Sequence, residues 1–80
     1  MQIKLRLVDI AEFVRTVESF KSDIDIRSAN NGIIVDAKSI ISVLALDLGS
    51  RLLVNINSSD IEEIDRFNKE MERYGARNAN

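Results

Sequence analysis

Near the N-terminus Ile3, Leu5 and Leu7 alternate with Gln2, Lys4 and Arg6, the period of two that gives a strand one buried face. The spacing then changes. Ile10, Phe13, Val14 and Val17 recur at helical intervals while Glu12, Arg15, Thr16 and Glu18 fall on the opposite side, which predicts an amphipathic helix. Asp9 stands where it can cap that helix, with Glu12 three residues on and Val8 and Phe13 at the two staple positions. Phe20 is placed to pack just past its end. Ile24 and Ile26 alternate with Asp23, Asp25 and Arg27 as a second strand, Asn31-Gly32 tolerates the positive φ of a tight turn, and Ile33 to Val35 form a third strand.

The same signals recur in the second half. Ser39 caps a short helix running to about Leu46, with Ile40, Ile41, Val43 and Leu44 as its apolar positions and Gly49 as the residue closing it. Leu52, Val54 and Ile56 alternate as a fourth strand. Ser59-Asp60-Ile61-Glu62 reads as a capping box, after which Ile64, Phe67, Met71 and Tyr74 fall along one helical face. Past Gly75 the tail ARNAN is small and polar, so 1–75 form a single domain and 76–80 a flexible tail. The order βαββαβα, with one apolar face per element, predicts an α+β open-faced β-sandwich: a four-stranded antiparallel sheet with three helices on one face.

Composition narrows the function classes. Eighty residues support a single hydrophobic core. The 11 Lys and Arg against 13 Asp and Glu, a net charge of −2, are dispersed along the chain, so neither nucleic acid nor a membrane surface is an expected partner. The N-terminal alternation lacks the apolar stretch of a signal peptide or the roughly 20 residues of a membrane span, which makes cytoplasmic residence the expectation. There is no cysteine and no histidine. Glu62, Glu63, Asp65, Glu70 and Glu72, assigned mostly to the outer face of the third helix, therefore have no such partner for a transition metal. No residues pair as a general acid and base, so neither a catalytic residue nor a cofactor is expected, and the chain reads as a non-enzyme.

Several short segments resemble HPr, the phosphocarrier protein of the bacterial sugar phosphotransferase system. Ala11-Glu12-Phe13-Val14 is similar to the Ala-Gln-Phe-Val that opens the first HPr helix, Ala37-Lys38-Ser39-Ile40 to the segment around the family's regulatory serine, and Leu48-Gly49 to the end of its second helix. The resemblance implies the HPr sheet, with the first and fourth strands as neighbours in the middle. It also implies a departure. Where the family carries a Gly-Leu-His-Thr-Arg-Pro loop, Leu7-Val8-Asp9 joins the first strand to the first helix directly. Transfer between partners needs a nucleophile that is neutral near pH 7 and forms a labile phospho-intermediate, and the loop that supplies it is missing. Asp9 is read as a helix cap and not as a replacement acceptor.

What survives of the pattern lies around the second helix. The resemblance matches Ser39 to the serine modified by a dedicated kinase in HPr and in a catabolite-repression paralogue that lacks the histidine. Ser39 is equally well explained as an N-cap worth ~1 kcal/mol. Ile40, Ile41, Leu44 and Leu48 match the family's docking patch, and a helix of two turns cannot bury neighbours whose side chains point about 100° apart. Such a patch fits a protein partner, an HPr-type serine kinase or a transcriptional regulator, or burial in a homodimer or under the following loop. Lys38 and Arg51, which flank the helix, are read as solvated surface charges.

Overall fold

The N-terminal alternation continues as a strand only as far as Ile3. In the computed structural model, which describes residues 1–75, β1 spans Gln2–Ile3, and a 3₁₀ turn at Leu7–Asp9 leads into α1, Ile10–Glu18. Strands β2 (Ile24–Ser28) and β3 (Ile34–Asp36), helix α2 (Ile40–Leu44), strand β4 (Leu52–Ile56) and helix α3 (Ile61–Gly75) complete the βαββαβα order. The expected tail at 76–80 lies outside the described residues.

The sheet is antiparallel throughout, in the order β1-β4-β2-β3. The first and fourth strands are neighbours as expected, but β4 and β2 occupy the middle and β1 is an edge. The C-terminal turn of α3 covers that edge, where the Lys4 N–H donates to the Tyr74 carbonyl. Ile3, Ile24, Ile26, Leu52 and Val54 point from the sheet into one apolar cluster with Phe13, Val17, Val43, Phe67 and Met71 from the helices. The three helices thus share one face of the sheet. The opposite face carries Asp25, Arg27 and Asn55, and Asp25 lies directly across from Asp36 of edge strand β3.

Local chemistry accounts for the turns, with some reassignment. Gly32 adopts φ 72° at the β2–β3 turn, as the Asn31-Gly32 pair predicts. Gly49 does not close α2 from a left-handed conformation, since Gly32 alone among the described residues has positive φ; the helix ends at Leu44 with Ala45 as its C-cap. At α3 the cap is Asp60 and not Ser59, its Oδ1 accepting from the N–H groups of Glu62 and Glu63. Leu7 and Val8 leave the sheet and are exposed, at 69% and 79%. Val8 therefore makes no staple with buried Phe13.

The largest correction concerns Glu63. It is buried, not on the outer face of α3. Its carboxylate accepts from the Lys21 and Ser22 N–H groups, both at 3.1 Å, and from the Ser22 hydroxyl at 2.5 Å. The corner between α1 and β2 is thereby fastened to α3. Bonds from Ser22 and Ser58 hold the Glu63 carboxyl down at about 2, against an ordinary 4.5. Because the folded value is the lower one, the stabilisation is complete above about pH 4.5 and is lost as pH falls toward about 2. Thermal melts of wild type and Glu63→Gln across this range should show the variant melting several degrees lower at neutral pH. The gap should close progressively below about pH 4.5.

Candidate functional site

Helix α2 is bounded by the Ser39 cap at its start and by Ala45 and the loop to β4 at its end. Ser39, extended at φ −100° and ψ 106°, accepts the Ser42 N–H on its Oγ at 3.3 Å. Its own N–H donates to the Asp36 carbonyl at 3.1 Å. Val43 is buried completely, and this anchor turns its neighbours outward: Ile41 is 80% exposed, Leu44 46% and Ile40 43%. Leu48 is half-buried against the core. Three of the four residues predicted for the patch thus share an exposed surface, and Leu48 contributes more to packing.

The two charges flanking α2 differ from each other. Arg51 is exposed, as expected for a solvated charge. Lys38 is not such a charge: it is half-buried, and its Nζ donates to the Phe20 carbonyl oxygen at 2.7 Å. Its backbone N–H is held by Asp36 Oδ1 at 2.9 Å. Nothing in the local spacing of Ala37-Lys38-Ser39 signals this long contact, which depends on α1 ending beside the start of α2.

Hydrogen bonds fix the direction of α2 over the sheet. Just before it, the Ala37 N–H donates to the Ile24 carbonyl at the start of β2. After it, Ser50 Oγ lies 3.1 Å from Ser28 Oγ, and Asn30 Nδ2 donates to Asp47 Oδ2, both at the far end of β2. Ile3, the last residue of β1, pairs with Leu52, which also faces Ser28. The 3₁₀ turn that follows β1 therefore lies at the end of the fold where α2 finishes. Ser39 lies at the opposite end of α2.

The 3₁₀ turn is tightly closed. Asp9 reaches back instead of capping α1: Oδ2 accepts from the Arg6 N–H at 2.8 Å and Arg6 Nε at 3.1 Å, and Oδ1 accepts from Arg6 Nη2 at 3.1 Å. The hydrogen bond to Asp9 and its charge hold the Arg6 guanidinium above its ordinary pKa. Glu12, the other carboxylate of this region, accepts from Arg73 Nη1 at 2.8 Å and the Tyr74 hydroxyl at 2.9 Å. Arg73 is the main cause that lowers its pKa. These two acids serve as partners for α3 and for the turn itself, and the exposed residues between β1 and α1 are the cations Lys4 and Arg6 and the aliphatics Leu7 and Val8.

A family description, PTS HPr component phosphorylation site, matches residues 5–71. The chain belongs to the HPr family. Members are phosphocarriers of the phosphotransferase system, and this chain carries the family fold without a histidine. Among solved structures it is similar to Crh of Bacillus subtilis, a catabolite repression protein described as a swapped dimer. The identity is 22% and the TM-score 0.63, over 92% of this chain and 86% of that one. No curated protein sequence matches. Among the described residues no group of acidic side chains could hold a metal, and no helix is long and apolar enough to cross a membrane.

The contrast between neighbours on α2 is directly measurable. Ile41→Ser should change stability in urea by no more than about 0.5 kcal/mol, as for exposed sites generally. Val43→Ala, two residues on, should cost about 2 kcal/mol through the cavity it leaves.

Proposed function

We propose that this HPr-family chain is a regulatory or docking protein that does not relay phosphate through histidine and acts through α2. Ser39 is its phosphorylation site, and Ile40, Ile41, Leu44 and Leu48 are the residues that meet the partner. The observation that carries this reading is the exposure of Ile40, Ile41 and Leu44 directly after Ser39, in a chain with no histidine to accept a phosphoryl group. A solvent-facing aliphatic cluster on a capped, anchored helix is a surface suited to protein contact. The partner is an HPr-type serine kinase or a transcriptional regulator, in keeping with a cytoplasmic, non-enzymatic role.

The chemistry at Ser39 belongs to the kinase. An Oγ–P bond forms as the β–γ phosphoanhydride bond of ATP breaks, ADP leaves, and the hydroxyl proton passes to the kinase base. The phosphate then sits where the first amides of α2 and its dipole favour negative charge. Asp9 is no substitute acceptor, since Arg6 already binds both of its carboxylate oxygens.

Self-association without any phosphotransfer role is the second reading. It is supported by the two-residue β1, whose edge position and small pairing with β4 make it an easy strand to exchange, and by the swapped dimer described for Crh. Light scattering at rising protein concentration tests it, a constant monomer mass being the result that removes it.

Intact-mass measurement tests the first reading. Incubated with ATP and an HPr serine kinase, the chain should gain one phosphate, and Ser39→Ala should gain none. Enzyme I with phosphoenolpyruvate should add nothing to either. Phosphate arriving from enzyme I would overturn the reading outright, and a kinase arm without product would remove Ser39 from it.

A further inference from the structure

Lys38 stands immediately before Ser39, yet its charge is spent on another element. Its ammonium caps the Phe20 carbonyl at 2.7 Å, two residues beyond the last residue of α1. The preceding carbonyl, of Ser19, is held by Arg66 Nη2 at 3.1 Å. Two cations from outside α1 thus complement the negative end of its dipole. Phe20 itself is a contact hub: its ring meets Phe67 edge-on at 5.8 Å, with the Arg66 guanidinium carbon 3.7 Å from its centroid.

We propose that a phosphate on Ser39 draws the Lys38 ammonium off the Phe20 carbonyl, so that modification at the start of α2 is read at the corner between α1 and β2, which α3 holds. The inference rests on Ser39 being the modified residue. Lys38 is the sole cation between Asp36 and Gly49, and Asp36 adds a further negative charge to the same segment. A phosphate carries about −1.5 to −2 charge and three strong acceptor oxygens. A neutral carbonyl competes poorly, because the phosphate adds the attraction of opposite full charges to the hydrogen bond while the carbonyl offers the ammonium only a dipole. The four-carbon lysine stem gives the ammonium the freedom to move between an acceptor on α1 and one on the adjoining residue. Once it moves, the corner keeps its bonds to Arg66 and Glu63 but loses the one that ties it to α2.

Carbonyl NMR tests this without a kinase. Phosphoserine is incorporated co-translationally at position 39, and the carbonyl ¹³C shift of Phe20 is compared with that of the unmodified chain and of Lys38→Met. Lys38→Gln serves should the methionine variant not fold. The Phe20 carbonyl should move upfield in the phosphoserine form, to the position it takes in Lys38→Met, and phosphoserine added to Lys38→Met should move it no further. A Phe20 resonance that shifts in Lys38→Met but not with phosphoserine overturns the proposal, as does one that Lys38→Met leaves in place. Because the phosphate is installed directly, failure of the kinase to modify Ser39 is a separate result and bears on the functional reading alone.

Discussion

The corner at residues 19–22 is where the helices of this fold are joined. A single carboxylate, Glu63, supplies acceptors to two backbone amides and a hydroxyl from a segment more than 40 positions away in sequence. A carboxylate taken from water without such partners would cost several kcal/mol. Here the amides that lie beyond the end of α1 need acceptors as much as Glu63 needs donors. Arg66, also on α3, and Lys38, just before α2, complete the corner.

The architecture was legible because each element has one apolar face with the right period. α1 and β4 stand where the spacing places them, and Ser39 caps α2 as read. What was missed depends on contacts distant in sequence. Glu63 belongs to the buried stripe of α3 by spacing alone, since 63, 67, 71 and 74 follow one another at helical intervals. Its charge argued for the surface, and only the amides of Lys21 and Ser22 override that argument. Leu7 and Val8 continue an apolar-rich N-terminus, but the chain leaves the sheet after Ile3, and no alternation signals the departure. The site was legible as far as the exposure of Ile40, Ile41 and Leu44, because two sequence neighbours on so short a helix cannot both face inward. The Lys38 contact was invisible for the same reason as the Glu63 clamp.

The short connection between β1 and α1 is well formed. Arg6 and Asp9 cap each other across the 3₁₀ turn, the Asp9 carboxylate accepting the Arg6 amide. The acids at the start of α1 are both engaged, so this end of the helix offers little to an incoming anion. The family fold is thus retained in a chain that contains no histidine.

Edge strand β3 carries a different consequence. Its final residue, Asp36, faces Asp25 across the pair, and like charges placed opposite one another weaken a ladder. Of the two, Asp36 lies on the edge strand itself, two residues from exposed Ile34, whose own partner on β2 is Arg27. A further strand pairing along β3 would have to lie alongside the Asp36 carboxylate, and charge on an edge strand is a common way in which sheets resist aggregation. The molecule thus gives up some cohesion within its own sheet and in return keeps that sheet from growing.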